Sequence, residues 1–335
     1  MTPLPLVDPT IRIDSHLDAA HERGLADDVL DGLTRPFKEL PPKHFYDERG
    51  CELFDAICEL PEYYPTRTER GLLERHADAL AAVGGGAAEL VELGSGTAAK
   101  TRVLLSAMER RGTLRRYVPF DVAESVVRDS AEALVREYGG LRVHGVVGDF
   151  ERHLGEIPSP REGEPRIVAL LGGTIGNFPP GSRRRLLREI GELLGPDDRL
   201  LLGTGLVTEV EALEAAYDDS AGVTADFNRN VLAVVNRELE ADFPLDGFAH
   251  VAFFDRRHEW IEMRLRALRP LSVLVGALDL RVEVAAGEEI RTEISAKFTR
   301  ARVADDFEAA GLRLDEWFED DDGRHALSLA ARVRD

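Results

Sequence analysis

The residues whose types and spacing best suit chemistry begin at a glycine turn, Gly94-Ser95-Gly96, which follows a short apolar run at residues 90–93. A helix-compatible run begins at Ala98. Strand, tight turn and helix start in this order form a nucleotide-binding corner, because glycines let the backbone approach a ligand and the helix start offers free N–H groups. The stretch therefore predicts a ligand at this turn.

Three interpretations of the turn are open. As G-x-G-x-x-A, through Gly94, Gly96 and Ala99, it fits a dinucleotide fingerprint, and a turn without a ligand is also compatible with it. Glu92 favours the third interpretation, a methyltransferase. An acid at this point crowds a pyrophosphate, whereas it can accept hydrogen bonds from a cationic ligand such as S-adenosylmethionine.

Acidic residues also follow the next two predicted strands. Asp121 stands where an acid binds a ribose hydroxyl pair, and the alternative is an N-cap for the following helix. Asp149 and Phe150 could take an adenine amino group and ring face, or form a plain turn. Lys100, just after the glycine turn, is suited to a cofactor carboxylate or to a solvated helix face.

A second glycine-rich stretch spans residues 171–180 and contains Gly172, Gly173 and Gly176. So many glycines bring backbone close to a ligand, or serve a turn that demands them. In amino-group methyltransferases an N/D-P-P-Y/F motif at this place grips the amine. Here the order is Asn177-Phe-Pro-Pro, so that motif is absent, although Asn177 can still hold a polar group of the substrate.

Tyr63, Tyr217, Glu293 and Ser295 complete a candidate polar pocket. On a strand, Glu293 and Ser295 point to the same side, so a carboxylate and a hydroxyl could read two nitrogens of a small ring; a solvent-facing strand is the alternative. Met263 lies on the apolar face of another predicted strand and is expected in the core. No metal-ligand spacing or nucleophile elbow is present, so no metal is expected.

The elements that must position these residues alternate between strand and helix from residue 89 to about 206. Strands are predicted at residues 90–93, 117–120, 142–147, 167–171 and 199–202, and an antiparallel pair at 313–317 and 326–333 closes the sheet. Thr66 and Glu69 have the spacing of a capping box for a helix. The expected fold is α/β: a Rossmann-like, doubly wound sheet of seven strands with a second α+β unit.

The domain layout follows from this rhythm. Residues 1–15 are predicted to be a flexible arm, residues 16–68 and 207–297 a substrate-binding domain, and residues 69–206 and 298–335 the cofactor-binding domain. Ligands of open α/β sheets bind at the carboxyl ends of the strands, so the second unit is expected to cover that edge.

Composition narrows the classes of partner. The chain has 335 residues and a net charge of −20, which opposes binding to nucleic acid. Cys51 and Cys58 match no zinc pattern and no disulfide framework. The chain start has no signal-peptide pattern, and no apolar run is long enough to span a bilayer. We expect a cytoplasmic monomer without nucleic-acid or membrane partners.

Together these motifs resemble the histidine-specific Nα-methyltransferases of ergothioneine biosynthesis. The resemblance runs from about residue 41 to 330 and rests on many ordered motifs. Among them are F-Y-D-E-R-G (45–50), L-P-E-Y-Y-P-T-R-T-E (60–69), E-L-G-S-G-T-A-A-K-T-R (92–102), P-F-D-V (119–122), G-D-F (148–150), T-I-G-N (174–177), Y-D-D-S-A-G-V-T-A-D-F-N-R-N (217–230), W-I-E-M-R-L (260–265) and R-T-E-I-S-A-K-F (291–298).

The resemblance implies trimethylation of L-histidine to hercynine with S-adenosylmethionine. It implies catalytic roles for Tyr46, Gly172 and Asn177. It places the cofactor on Tyr46, Gly94, Lys100, Asp121, Asp149 and Phe150 and the substrate on Tyr63, Asn177, Tyr217, Met263, Glu293 and Ser295. Two departures are Gly173 and Cys51, where the family is expected to carry serine or a similar residue, and they put the local packing of the pocket in doubt.

Three other functions compete with this one. The first is a methyltransferase of the same fold that acts on a different amino acid or small amine. The second is an NAD-dependent oxidoreductase, and the third is a cofactor-binding module without catalysis. Turnover of an amino-acid panel distinguishes the first of these, and thermal shifts with each cofactor distinguish the second.

Overall fold

The computed structural model describes the backbone of residues 10–333 and, apart from residues 18–23 and Phe150, their side chains. The strands are β1 (Ile11–Ser15), β2 (Lys38–Glu39), β3 (Glu89–Leu93), β4 (Arg116–Asp121), β5 (Arg142–Val147), β6 (Arg166–Leu170), β7 (Arg199–Gly205), β8 (Phe248–Asp255), β9 (Trp260–Ala267), β10 (Leu271–Val275), β11 (Leu280–Val284), β12 (Glu289–Ala296), β13 (Leu312–Glu319) and β14 (His325–Arg332). The helices are α1 (Asp18–Thr34), α2 (Glu48–Cys58), α3 (Pro65–Ala81), α4 (Arg102–Arg110), α5 (Glu124–Glu137), α6 (Phe150–His153), α7 (Pro180–Glu192), α8 (Val210–Ala215), α9 (Val223–Glu238) and α10 (Arg300–Ala309).

The large sheet has the order β1-β5-β4-β3-β6-β7-β14-β13. It is parallel from β1 to β7, and β14 runs antiparallel to both β7 and β13. The predicted parallel strands and the antiparallel closing pair are confirmed. The crossover between β3 and β6 makes the sheet doubly wound, with β3 at its centre.

The edge strand β1 corrects two expectations. Residues 11–15 are not part of a flexible arm, because β1 pairs along Val143–Val147 of β5. The sheet therefore has eight strands rather than seven. Without β1, one edge of β5 would leave its backbone N–H and C=O groups without strand partners. Residues 1–9, the rest of the expected arm, lie outside the described residues.

The two faces of the large sheet carry separate cores, as the period of two along each strand requires. Val91 and Leu93 point to the face covered by α7 and α10, and Leu90 points to the face covered by α3, α4 and α5. All three side chains are fully buried. This rigid centre fixes the carboxyl end of β3, where the glycine turn begins.

The second unit is built around a sheet of order β2-β12-β9-β8, with β10 and β11 as a separate antiparallel pair. One continuous core joins the N-terminal helices to the segment after β7, and Phe45, Val231 and Ile290 are fully buried in it. The predicted substrate-binding domain, residues 16–68 and 207–297, would require a shared core of this kind. The predicted boundary at residues 68 and 69 falls inside α3, which packs on α4 and β14. The exact division into domains stays a prediction.

Within residues 10–333, no helix combines the length and apolar character needed to cross a membrane.

Candidate active site

A cavity of about 1030 Å³ opens at the carboxyl ends of the parallel strands, between the large sheet and the second unit. This is the edge at which open α/β sheets bind their ligands. The volume suits two small molecules side by side. The cavity brings together every predicted site residue except Phe150, whose side chain is not described: Tyr46, Tyr63, Gly94, Lys100, Asp121, Asp149, Gly172, Asn177, Tyr217, Met263, Glu293 and Ser295.

The glycine turn occupies one end of this cavity. Gly94 and Gly96 have φ values of 74° and 48°, in the left-handed region that favours glycine. The Gly96 N–H donates to Asp121 Oδ2 at 2.8 Å, which ties the turn to the end of β4. The buried Ser95 hydroxyl has no hydrogen-bond partner within the described part of the chain. The turn thus presents backbone and one unsatisfied hydroxyl to a ligand.

The acids at the ends of β4 and β5 have different surroundings. Burial raises the pKa of Asp121, although backbone N–H groups, including that of Ala123 at 3.1 Å, oppose the shift. The helix that follows Asp121, α5, has Ala123 as its N-cap and no side-chain cap. The alternative that Asp121 is the N-cap of this helix is therefore wrong. Asp149 is the N-cap of α6, and its Oδ2 lies 2.9 Å from Lys43 Nζ. Lys43 was not predicted from the sequence.

Glu92 has a role in addition to the predicted one. Its two carboxylate oxygens accept hydrogen bonds from the hydroxyls of Thr101 and Tyr117. Burial raises its pKa to about 7, because these two hydrogen bonds offset only part of the desolvation. Glu92 thus braces the start of α4 against β4, a role that was not predicted. It also lines the cavity, so direct acceptance of a hydrogen bond from a cationic ligand stays a prediction.

Glu69 is a buried hub that the sequence analysis misassigned. Its carboxylate pairs with Lys100 Nζ, accepts from the Gly172 N–H at 2.8 Å, and lies 3.1 Å from His325 Nε2. Burial alone would raise the pKa of Glu69, but Lys100 and His325 hold it far below its usual range. The capping box is therefore wrong: α3 begins at Pro65, and no side chain caps it. Lys100 lines the cavity, already paired with this carboxylate.

The turn after β6 needs its first two glycines. Gly172 and Gly173 have φ values of 75° and 69°, so a serine at position 173, expected from the family, would be strained here. A β-carbon on Gly176 would lie 2.8 Å from the Ala296 carbonyl oxygen, so this turn packs directly on β12. The Asn177 side chain lies near enough to Glu293 across that contact to lower the pKa of this carboxyl.

Aromatic residues line the opposite wall. Tyr63 packs edge-on against Tyr217 with ring centroids 6.4 Å apart, and Phe54 links Tyr63 to Tyr46 through two further edge contacts. Burial raises the pKa of all three tyrosines, so they are neutral at physiological pH. The Cys51 thiol, the second departure from the family, lies 3.9 Å from the Tyr46 carbonyl oxygen, and burial raises its pKa to about 11.

Strand β12 adds a row of polar side chains. Glu293 and Ser295 are both buried and line the cavity, and Glu293 stands opposite Met263 of β9. Met263 is 2 % exposed, so it belongs to the core, as expected, and also to the cavity wall. Lys297 extends the row. The alternation that predicted a shared face for positions 293 and 295 also includes position 297, but its charge did not suggest burial.

Lys297 Nζ donates to Ser295 Oγ at 2.8 Å and to Tyr217 Oη at 2.9 Å. Burial lowers the pKa of Lys297 to about 8, against the attraction of Glu293. Burial raises the pKa of Glu293 to about 7, against the attraction of Lys297 and the effect of the nearby Asn177 side chain. The cavity thus contains a carboxylate and an ammonium that both titrate near neutral pH. No set of three or more His, Cys, Asp and Glu side chains among the described residues could hold a metal ion.

The fold and this cavity define a Rossmann-like enzyme of the class I methyltransferase type. The chain belongs to the family of S-adenosylmethionine-dependent, histidine-specific methyltransferases, whose family model matches residues 25–332.

Proteins with similar sequences support the assignment to this family. A histidine N-alpha-methyltransferase of Mycobacterium tuberculosis is 52 % identical over 96 % of this chain and 99 % of its own length. One of Mycolicibacterium smegmatis is 53 % identical over 94 % of this chain and 97 % of its own. Ergothioneine biosynthesis protein 1 of Neurospora crassa is 28 % identical over 87 % of this chain, which corresponds to 33 % of that longer protein.

Proposed function

We propose that this protein transfers three methyl groups in succession from S-adenosylmethionine to the α-amine of L-histidine, forming hercynine in the first step of ergothioneine biosynthesis. One observation carries the proposal: a single cavity joins a glycine turn and strand-end acids to a tyrosine-lined recess with Glu293 and Ser295. The identification of the two mycobacterial relatives as histidine N-alpha-methyltransferases supports the same substrate. Membership of an S-adenosylmethionine-dependent family argues against the NAD-dependent alternative.

The glycine-turn end of the cavity fits S-adenosylmethionine. The buried Ser95 hydroxyl lacks a partner, and the desolvated Asp121 carboxylate is suited to accept from ribose hydroxyls. We assign Gly94, Asp121, Asp149 and Phe150 to the nucleoside. Lys100 has three ammonium hydrogens, so beyond its pairing with Glu69 it can still donate to the cofactor carboxylate. When bound, this cofactor supplies a methyl group activated by a positively charged sulfur.

The recess fits an amino acid with a small polar ring. We assign Tyr63, Asn177 and Tyr217 to the amino-acid head and ring, with the Gly172 turn beside the amine. Met263 offers an apolar surface to an imidazole, and Glu293 and Ser295 offer partners for its two nitrogens. An analogue without ring N–H groups would leave the buried Glu293 carboxylate unpaired, which penalises its binding.

The chain contributes to catalysis mainly by positioning, because an amine attacks a methyl carbon only when nitrogen, carbon and sulfur are collinear. Each transfer needs a neutral amine, so a proton must leave before each attack. Because burial raises the pKa of Tyr46, its phenolate is hardly populated near neutral pH, and we assign Tyr46 the role of a neutral hydroxyl that relays the proton to water. The faces of the tyrosines suit the growing quaternary ammonium.

The decisive experiment is mass spectrometry of L-histidine after incubation with the protein and S-adenosylmethionine. Three added methyl groups are expected, with release of S-adenosylhomocysteine. A panel of other amino acids and amines under the same conditions tests the alternative substrate class. Methylation of another amine but not of histidine would contradict the proposal, and cofactor binding without any product would identify a non-catalytic module.

We also propose that the protein acts as a monomer in the cytoplasm. A net charge of −20 opposes self-association, and Cys51 and Cys58 are free thiols, as a reducing compartment allows. Light scattering coupled to size exclusion should give a mass near 37.0 kDa. A dimer mass at micromolar concentration would contradict the monomer.

A further inference from the structure

Lys297 follows the last residue of β12 and extends the row of polar side chains formed by Glu293 and Ser295. It has no role in the proposed function. Its side chain is buried, and its ammonium donates to Ser295 Oγ at 2.8 Å and to Tyr217 Oη at 2.9 Å. The two hydroxyl oxygens are themselves 2.7 Å apart. The three groups therefore form a closed triangle beside the cavity.

Hydrogen counting fixes what this triangle can offer to a ligand. An ammonium can only donate, so each hydroxyl oxygen already accepts one hydrogen bond from Lys297. The two hydroxyls have two hydrogens, and one of these is used between Tyr217 and Ser295. The other hydroxyl hydrogen is left to point away from the triangle, into the cavity. A phenol is the stronger donor of the two, so Tyr217 donates to Ser295 Oγ; both lone pairs of Ser295 are then occupied, and its own hydrogen needs an acceptor from the ligand.

The neighbouring carboxylate defines what kind of acceptor fits. Glu293 and Ser295 are two residues apart on the same strand face, so their β-carbons are roughly 7 Å apart. A ligand group that meets the Ser295 hydroxyl therefore also lies beside Glu293, which would repel a second carboxylate. A group that combines a lone-pair nitrogen with an N–H satisfies both positions. A neutral imidazole has one of each, whereas an imidazolium would set an N–H against the hydroxyl donor.

Resting on the proposed function, we propose that Lys297 is a positioning residue that fixes the direction of the Tyr217–Ser295 hydrogen bonds and so makes the site select L-histidine with a neutral ring. The N–H of the bound imidazole ring faces Glu293, and the bare ring nitrogen faces the hydroxyls of Tyr217 and Ser295. Without the ammonium, the hydroxyls could turn and accept from the ring. The site would then also hold the imidazolium form against Glu293.

The charges around Lys297 agree with this role. The ionisable groups that face it are Glu293 on its own strand and Tyr217 after α8, and the nearest part of β7 is the uncharged Gly205. Burial raises the pKa of Tyr217, so it remains a hydroxyl rather than a phenolate. An ammonium between neutral hydroxyls and one carboxylate therefore keeps its donor role near neutral pH.

The first test uses the unmodified protein. L-histidine labelled with ¹⁵N in the ring is bound together with S-adenosylhomocysteine at pH 6, where free histidine is largely imidazolium (ring pKa about 6.5). The ¹⁵N chemical shifts should then report one N–H nitrogen and one bare nitrogen. An imidazolium spectrum in the bound state would overturn the proposal.

The second test compares Lys297→Met with Lys297→Arg and Ser295→Ala. Methionine keeps the length of the side chain but cannot donate, and we expect about a tenfold higher KM for histidine with unchanged affinity for S-adenosylhomocysteine. The bound ring should shift towards imidazolium. Arginine, which can donate, should recover most of the loss. In the Ser295→Ala background, Lys297→Met should add little further loss, because the two residues act through one hydrogen bond.

The outcomes separate the two proposals. If Lys297→Met changes neither the KM nor the ring spectrum, Lys297 is not a positioning residue. If it does not fold, the spectrum of the unmodified protein and the Ser295→Ala variant still decide. Methylation of histidine with an imidazolium in the site overturns this inference alone. If histidine is neither bound nor methylated, the proposed function fails and the inference fails with it.

Discussion

Glu69 joins four parts of the chain through one carboxylate: α3 itself, Lys100 after the glycine turn, the Gly172 N–H after β6, and His325 at the start of β14. The group is fully buried, and these partners compensate its negative charge. An interaction of this kind does not appear as a local sequence pattern, because its members are far apart in the chain. This interaction nevertheless links Lys100, a predicted cofactor contact, to the Gly172 turn, which is predicted to lie beside the substrate amine.

Glu69→Gln should therefore destabilise the protein strongly. The variant keeps the shape of the side chain but leaves the Lys100 ammonium, which is 21 % exposed beside the cavity, without its carboxylate partner, and this costs about 1–3 kcal/mol. Urea unfolding measures the loss. Glu74→Gln provides a matched control, since Glu74 lies on the same helix in an exposed pair with Arg70. Equal effects of the two variants would show that the buried network contributes nothing beyond a surface pair.

Glu293 is the second residue whose effect can be isolated. Glu293→Ala removes the only carboxylate of the β12 row that lines the described cavity, so kcat/KM for histidine should fall by about a hundredfold or more. Affinity for S-adenosylhomocysteine, measured by calorimetry, should change little because most of the proposed cofactor contacts lie at the end of the large sheet. Glu289→Ala on the same strand, where Glu289 pairs with Arg264 and Arg266, is the control. Equal losses in turnover and cofactor affinity would refute this role.

At the scale of elements, the contact between the turn after β6 and strand β12 couples the two sheets. Gly176 sits against Ala296, where an added β-carbon would lie 2.8 Å from the carbonyl oxygen and 3.0 Å from the nitrogen. Both are backbone atoms, so neither can rotate away. The adjacent Asn177 lines the cavity together with Glu293, and its side chain lowers the pKa of that carboxyl. Any displacement here would therefore reach the proposed substrate site before the glycine turn.

Gly176→Ala is accordingly expected to raise the KM for histidine and to lower the free energy of unfolding by about 1–3 kcal/mol. The affinity for S-adenosylhomocysteine should be retained. Gly181→Ala is the control, because Gly181 lies in α7 with no atom within 4 Å of an added β-carbon, and alanine favours a helix there. If the Gly176 variant behaves like the Gly181 variant, the two sheets are not held together at this point.

The elements that could be predicted from the sequence are those with local signals. The strand at residues 167–171 is a continuous apolar run, and the strand at 90–93 is apolar except for Glu92. A glycine-rich turn follows each, so both the strands and the ligand-facing turns could be predicted. β1 was missed because its run is short, follows a Pro-containing stretch and pairs with β5, which is distant in the chain. The capping box failed for a related reason: Thr66 and Glu69 have the right spacing, but tertiary contacts recruit Glu69 to the hub.

For the candidate site too, residues with a local sequence signal could be predicted, and residues that depend on distant contacts could not. Residues at strand ends and on one strand face, such as Asp121, Glu293 and Ser295, were predicted from position alone. Lys43 and Lys297 were missed, since a lysine in a sequence usually indicates a solvated surface and only the folded structure reveals a buried carboxylate or hydroxyl beside it. Pairing between distant residues is the part of this site that a single sequence does not encode locally.

At the scale of the whole molecule, the net charge is −20, and the free energy of unfolding depends on pH through buried acids such as Glu92. Burial raises the folded-state pKa of Glu92 to about 7, whereas the unfolded chain has a value near 4.5. Between these two pH values the folded state binds more protons than the unfolded state. The contribution of Glu92 to stability is therefore fully present below pH 4.5 and is lost as the pH rises through 7.

Glu92→Gln removes this titration. Relative to the unmodified protein, the variant should gain roughly 2–3 kcal/mol in free energy of unfolding between pH 5 and pH 8, because only the unmodified protein must bury an ionised carboxylate at the higher pH. Urea unfolding at several pH values gives both curves. Glu308→Gln, at an exposed position of α10, should run parallel to the unmodified protein. If the Glu92→Gln curve also ran parallel, Glu92 would be ionised in the folded protein throughout this range, and its place beside Thr101 and Tyr117 would carry no electrostatic cost.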